Sequence, residues 1–142
     1  MLSTTYHKLM LGFGLAGTLF AGYLSAQKFF TATCAFNEPC PYFLGYPACY
    51  FGLAMFFAMM LVALYATVKV VRAKWPAEAI ITISTLGTLF AGYYTWGEVA
   101  SYLAGTTPNY TLVLPTCSYG LVFYVLMLAI SAVWYTRHRH QC

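Results

Sequence analysis

Four long runs of apolar residues constrain this chain more than any other feature of its sequence. They extend from about Leu9 to Phe30, Pro47 to Val71, Ala79 to Leu103 and Pro115 to Tyr135. An α-helix needs about 20 mostly apolar residues to cross a bilayer, and each run is long enough. Only 7% of the 142 residues are charged, too few to cover a soluble fold of this size. The sequence therefore predicts an all-α polytopic membrane four-helix bundle, with residues 1–142 forming a single transmembrane domain.

The basic residues predict how this bundle is oriented. Six of the seven Lys and Arg residues flank the spans on the side that carries both termini, and these are Lys8, Lys69, Arg72, Lys74, Arg137 and Arg139. Because positively charged flanks remain in the cytoplasm, we expect a multi-pass integral membrane protein with both termini cytoplasmic and loops 31–46 and 105–114 outside. The expected partner is the lipid bilayer. Nucleic acid is not expected, because it requires a dense basic face that these scattered cations do not form.

The two halves of the chain repeat each other. The heptapeptide at 17–23 recurs unchanged at 87–93, and the Pro-x-Cys at 47–49 recurs at 115–117. Residues 9–71 and 79–135 are therefore interpreted as two copies of a helix–loop–helix unit. Each copy starts and ends on the cytoplasmic side, so we predict parallel repeats related by a rotation of roughly 180° about the membrane normal.

Two features of the repeat bear on packing and charge. Small residues at Gly17 and Gly87 predict closely packed helices. Lys28 aligns with Glu98, and both lie toward the outer ends of their spans. A charge within a span is costly unless it is paired, snorkels to the interface or meets water. Three interpretations stay open: each group reaches the interface alone, the two form an ion pair, or they belong to a proton or ligand site.

Four of the five cysteines face outward in this topology. They are Cys34, Cys40, Cys49 and Cys117. Cys34 and Cys40 lie in one turn-rich loop and are predicted to bond to each other, or to Cys49 in a redox rearrangement. Cys49 and Cys117 each follow a helix-starting proline, where a helix N-terminus favours a thiolate. We expect their sulfurs to bond or to share one small site, unless the first helices of the repeats occupy the centre.

The outer cysteines allow a structural as well as a redox interpretation, and both stay open. No metal site is predicted. Methionines such as Met59 and Met127 are interpreted as packing residues, although their sulfurs would suit Cu(I).

The segment from Phe43 to Leu53, with its Gly45, Pro47 and Gly52, resembles the start of the second helix in the vitamin K epoxide reductase family. This family has a four-helix membrane bundle and a cysteine pair in its first outer loop. The resemblance implies that Cys34 and Cys40 form a shuttle pair, which passes electrons from a thiol partner. It also implies that Cys117 is the first cysteine of an active pair beside a quinone.

The bacterial disulfide-forming quinone reductases of the inner membrane share this arrangement of cysteines and quinone. The chain departs from the family pattern in one important respect. The family's active Cys-x-x-Cys is absent, because Gly120 stands where its second cysteine would be. We expect Cys49 to replace that cysteine through the symmetry of the repeat.

Two functions of different classes follow. The first is a membrane thiol–disulfide oxidoreductase that passes electrons from a thiol-bearing protein on the outer side to a quinone. Its predicted catalytic residues are Cys34, Cys40, Cys49 and Cys117, and its predicted quinone-binding residues are Tyr50, Phe51, Tyr119 and Phe123. The alternative is a non-enzymatic four-helix structural subunit or scaffold, which contacts other subunits of a larger membrane complex and has a disulfide-locked outer loop.

Overall fold

The computed structural model describes residues 2–33, 41–105 and 116–139, and 85% of this part of the chain is helical. Its elements are, in chain order, α1 (Leu2–Thr31), β1 (Tyr42–Phe43), β2 (Tyr46–Pro47), α2 (Ala48–Val68), α3 (Trp75–Leu103) and α4 (Thr116–His138). The prediction of a mostly helical chain with four long helices is confirmed. The helices form a ring in which α1 packs mainly on α2, and α3 mainly on α4, with weaker α2–α3 and α1–α4 contacts.

Three of the four predicted spans are confirmed as helices long and apolar enough to cross a membrane. They are Ser3–Thr31, Ala48–Val68 and Thr116–His138. Helix α3 has 29 residues, but serine, threonine and tyrosine residues lower its hydropathy. Several of its hydroxyls are satisfied within the helix, since Thr82, Thr85 and Thr88 each donate to the carbonyl four residues earlier.

Helices α1 and α3 begin before the apolar runs that predicted them. Helix α1 starts seven residues earlier than Leu9. Tyr6 and His7 in this extension are only 4% and 1% exposed, because they pack against Trp134 of α4. Pro76 opens α3 in its first turn, where the missing N–H leaves no hydrogen bond unmade. Pro76 and Ala77 at the start of α3 are buried as well. Both helices are therefore packed within the bundle from their first turns, before the strictly apolar sequence begins.

The centre of the bundle holds two stacked aromatic rings. Phe56 of α2 and Tyr124 of α4 stack with centroids 4.3 Å apart and an interplanar angle of 9°. Each ring lies against a glycine of the helix that precedes its own. A Cβ added at Gly17 would lie 2.3 Å from the Phe56 ring, and one at Gly87 would lie 2.4 Å from the Tyr124 ring. The two glycines thus make room for rings rather than for a neighbouring backbone.

Cross-helix hydroxyl contacts surround this centre. Ser84 of α3 donates to the sulfur of Met59 at 3.3 Å, and Ser131 of α4 donates to the sulfur of Met10 at 3.5 Å. The Ser131 hydroxyl also accepts a 2.7 Å hydrogen bond from Tyr6. These contacts satisfy buried hydroxyls at the interfaces that join the two helix pairs.

A short β-hairpin precedes α2. Its strands pair antiparallel, with Phe43 opposite Tyr46. The turn residues Leu44 and Gly45 have φ angles of 51° and 84°, as in a type I′ turn. The Ala48 N–H donates to the Pro41 carbonyl at 2.9 Å, which ties the hairpin to the start of α2. We call the end of the bundle that carries this hairpin the hairpin end, and the opposite end the termini end.

Candidate functional site

A cavity of about 110 Å³ opens at the hairpin end of the bundle. All four helices and the hairpin contribute to it, so it lies at the middle of the bundle and not on one flank. Its lining residues are Phe20, Ala21, Leu24, Lys28, Pro41, Pro47, Ala48, Cys49, Gly52, Phe56, Phe90, Ala91, Glu98, Thr116, Cys117, Gly120 and Tyr124. We call this space the hairpin-end cavity.

Most of the lining consists of residues that correspond between the two halves of the sequence. On α1 and α3 these are Phe20 with Phe90, Ala21 with Ala91, and Lys28 with Glu98, each 70 positions apart. On α2 and α4 they are Ala48 with Thr116, Cys49 with Cys117, Gly52 with Gly120, and Phe56 with Tyr124, each 68 positions apart. The two halves therefore present matching faces to one cavity.

Cys49 and Cys117 both line this cavity, each within the first turn of its helix. Both are partly buried, and neither is joined in a disulfide in the described part of the chain. Ser25 and Lys28 of α1 lie near Cys49. The position of the two thiols at the N-terminal ends of α2 and α4 follows from the Pro-x-Cys pattern, since Pro47 stands directly before α2.

Lys28 and Glu98 bring opposite charges to the same space. The Lys28 ammonium donates to the Ala32 carbonyl at 3.1 Å and lies 5.4 Å from the centroid of the Tyr42 ring. These contacts hold a cation near the hairpin. One oxygen of the Glu98 carboxylate is buried. An ammonium, a carboxylate and two thiols facing one cavity have the chemistry needed to form a thiolate and to move a proton.

Phe90, which lines the cavity, belongs to an aromatic cluster beside the hairpin. Phe43 of the hairpin packs edge-on against Phe51 and Phe90, with centroids 5.1 and 5.5 Å apart. The Tyr94 hydroxyl donates to the Tyr42 carbonyl at 3.2 Å, which ties the hairpin to α3. The stacked Phe56 and Tyr124 rings form the floor, and Tyr124 donates to the Gly52 carbonyl at 3.3 Å. The result is a mainly apolar chamber with its polar groups near the mouth.

The four aromatic residues predicted to bind a quinone do not line this cavity. Phe51 contacts the hairpin and Phe90, and Tyr119 packs on Phe20. Phe123 packs on Phe13 and Phe56. Tyr50 is not among the lining residues either. Whether any of them binds a ligand stays a prediction. The predicted shuttle pair, Cys34 and Cys40, lies outside the described residues.

The aromatic residues that do line the cavity were missed from the sequence. They are Phe20, Phe56, Phe90 and Tyr124. Helical spacing could have found two of them, because residues three and seven positions after a cysteine share its helix face. Gly52 and Phe56 stand in this relation to Cys49, and Gly120 and Tyr124 stand in it to Cys117. The residues predicted instead are one, two and six positions from the cysteine.

No group of three or more His, Cys, Asp or Glu residues in the described ranges could hold a metal ion. Comparison of the chain with protein-family models, curated proteins and solved structures finds no match. The resemblance to the vitamin K epoxide reductase family therefore stays a prediction that rests on the sequence alone.

Proposed function

We propose that this protein is a membrane thiol–disulfide oxidoreductase whose hairpin-end cavity transfers electrons from Cys49 and Cys117 to a quinone. One observation carries the proposal: two thiols line the same mainly apolar cavity as an ammonium, a carboxylate and four aromatic rings. Oxidation of two thiols to a disulfide releases two electrons and two protons. A quinone takes up both and becomes a quinol, so the step is balanced without a metal.

The proposed sequence begins at a thiol-bearing partner on the outer side. The partner's dithiol reduces a Cys34–Cys40 disulfide and is itself oxidised to a disulfide. The reduced shuttle pair then reduces a Cys49–Cys117 disulfide by thiolate attack through a mixed disulfide. The restored Cys49 and Cys117 thiols finally reduce the quinone. The net reaction is oxidation of the partner's dithiol to a disulfide, with reduction of one quinone to quinol.

The two charged groups of the cavity have separate parts in this proposal. Lys28 lines the same cavity as Cys49, and an ammonium beside a thiol stabilises the thiolate, which is the nucleophile in exchange. Glu98 supplies a carboxylate that accepts a thiol proton and returns it toward the quinone oxygen. The aromatic walls supply an apolar face for a quinone ring.

We further propose that the bundle consists of two parallel repeats about an axis through this cavity. Two sets of observations support the symmetry. The buried positions 6, 7, 10, 14, 17 and 21 of α1 recur at 76, 77, 80, 84, 87 and 91 of α3. The central ring stack joins the equivalent residues Phe56 and Tyr124. In this arrangement α3 is a fourth span, and its backbone-bonded threonines reduce the cost of its lower hydropathy.

The orientation proposed for the bundle follows from its charge. The basic residues Lys8, Lys69, Arg72, Lys74, Arg137 and Arg139 all belong to the termini end. This end therefore faces the cytoplasm, and the hairpin end with its cavity faces the outer side. The orientation gives the thiol pair access to a partner in an oxidising compartment.

The test is quinone reduction by protein reconstituted in phospholipid nanodiscs. Dithiothreitol serves as electron donor and a short-chain ubiquinone analogue as acceptor, and the loss of quinone absorbance is followed. We expect Cys49→Ser and Cys117→Ser each to abolish the protein-dependent rate, because a single thiol cannot deliver two electrons by forming an internal disulfide. The matched control Cys142→Ser should leave the rate unchanged.

An unchanged rate in the Cys49→Ser/Cys117→Ser double variant would contradict the proposal. The same holds if wild-type protein gives no rate above that of empty nanodiscs. Either result would favour the structural-subunit alternative, in which the cysteines only stabilise the fold.

A further inference from the structure

A second concave surface lies at the other end of the molecule, between α1 and α4. It is a groove of about 540 Å³ whose apolar walls include Leu9, Ile130 and Val133 and whose end carries Arg137 and His138. We call it the α1–α4 groove. Leu9 and Val133 are 46% and 51% exposed, so the groove opens on the outer surface of the bundle. In a membrane-spanning chain this surface faces lipid.

The groove is open because of two particular residues. The corresponding interface, between α2 and α3, has Tyr65 and Trp75 where the α1–α4 interface has Val133 and Thr5. The Tyr65 and Trp75 rings contact each other with centroids 5.8 Å apart and so bridge that interface. Thr5 and Val133 are too small to do this, and both line the groove. The two halves of the chain thus provide one filled and one open version of the same interface.

One wall of the groove is a rigid aromatic stack. Trp134 stacks on Tyr6 at 4.7 Å and on His138 at 4.8 Å, with interplanar angles of 13° and 16°. The Tyr6 hydroxyl is fixed by its hydrogen bond to Ser131, and a ring nitrogen of His138 lies 2.9 Å from the Trp134 carbonyl. Because both ends of this stack are fixed, its side chains lose little conformational entropy when a molecule binds in the groove.

The charge at the end of the groove is positive. Arg137 lies at its rim, and Lys8 and Arg139 belong to the same end of the bundle. The acidic residue described at this end, Glu78, accepts a 3.0 Å hydrogen bond from Tyr135 and does not line the groove. A guanidinium at the end of an apolar channel matches a phosphate attached to an acyl chain, because it can donate two parallel hydrogen bonds to phosphate oxygens.

We propose that the α1–α4 groove binds one anionic phospholipid. One acyl chain lies along Leu9, Ile130 and Val133, and the headgroup phosphate is bound by Arg137. The site is independent of the thiol chemistry, because it lies at the opposite end of the bundle and shares no residue with the hairpin-end cavity.

Native mass spectrometry of detergent-solubilised protein tests the site, with equal amounts of phosphatidylglycerol and phosphatidylcholine as probes. We expect the first bound lipid to be phosphatidylglycerol in preference to phosphatidylcholine by about fivefold, the effect of one favourable cation near an anionic lipid. Arg137→Gln should remove this preference. Arg137 is on the rim, so the variant leaves the core intact. Lys69→Gln, which removes the corresponding cation beside the filled interface, is the matched control and should keep the preference.

The dependence of lipid binding on the shape of the groove is tested by exchanging the corresponding residues of the filled and the open interface. Thr5→Trp/Val133→Tyr copies the filled interface and should abolish the tightly bound lipid. Tyr65→Val/Trp75→Thr should create a second groove beside Lys69 and add a second bound phosphatidylglycerol. The proposal is overturned if wild-type protein does not prefer phosphatidylglycerol, if Lys69→Gln loses the preference as fully as Arg137→Gln, or if the filled variant, folded by circular dichroism, retains it.

Discussion

Adding one methyl group at Gly17 tests the packing at the centre of the bundle. The new Cβ in Gly17→Ala would lie 2.3 Å from one atom of the Phe56 ring and 2.6 Å from another. Carbon atoms in contact prefer a separation of about 3.5 Å or more, so the ring must move by about 1 Å. Phe56 cannot move freely, because its opposite face is stacked on Tyr124.

Two opposing terms set the size of the effect. Overpacking a close-fitting core costs about 1–3 kcal/mol, and alanine in place of glycine within a helix returns up to about 1 kcal/mol. We therefore expect Gly17→Ala to lower the free energy of unfolding by about 1–2 kcal/mol. Gly12 of the same helix has nothing within 4 Å of an added Cβ. Gly12→Ala is thus the control, and we expect it to be neutral or to stabilise by up to about 1 kcal/mol.

The assay is unfolding of the detergent-solubilised protein in an SDS titration, with a double-mutant cycle against Phe56→Leu. Because leucine removes the ring that the methyl group meets, Gly17→Ala should cost little in the Phe56→Leu background. The coupling between the two sites should then be at least about 1 kcal/mol. A Gly17→Ala protein as stable as Gly12→Ala, or a cycle with no coupling, would refute the packing described for the bundle centre.

A buried hydroxyl and the cation of the cavity can each be tested by one substitution. Ser131→Ala removes the acceptor of the buried Tyr6 hydroxyl, so we expect the free energy of unfolding to fall by about 1–3 kcal/mol in the same titration. Tyr6→Phe in the Ser131→Ala background removes the unsatisfied hydroxyl and should recover part of this loss. A double variant with no recovery would contradict the unsatisfied hydroxyl as the cause. Lys28→Met removes the ammonium near Cys49, so N-ethylmaleimide should modify Cys49 more slowly, as measured by peptide mass spectrometry. Lys8→Met, at the termini end, is the control. An equal rate of Cys49 modification in both variants would exclude a role for Lys28 in the reactivity of this thiol.

The helices could be predicted from apolar runs because burial in lipid requires long uninterrupted stretches. The first turns of α1 could not, since Tyr6 and His7 are buried by Trp134, a contact between distant parts of the chain. The hairpin was also missed. Its strands have two residues each, too short for any periodicity, and its turn places Leu44 at a positive φ that few sequences would suggest.

The candidate site could be predicted in part, because the sequence repeat pairs several of its residues. The repeat identified Cys49, Cys117, Lys28 and Glu98 as corresponding residues, and all four line one cavity. The aromatic walls do not come from the sequence neighbours of the cysteines, because helical geometry brings residues seven positions away onto the same face. The difference between the two helix interfaces depends on pairs of side chains from separate helices, and no local pattern reveals such pairs.

Cys49 and Cys117 share one cavity, and we propose that thiol chemistry takes place there. The most direct measurement uses a variant in which Cys34, Cys40 and Cys142 are replaced by serine, treated in membranes with a short homobifunctional thiol reagent. Peptide mass spectrometry of the monomer should find Cys49 and Cys117 joined by one reagent molecule, and bound quinone analogue should slow the reaction. Two separately modified cysteines with no bridged peptide would contradict the shared cavity.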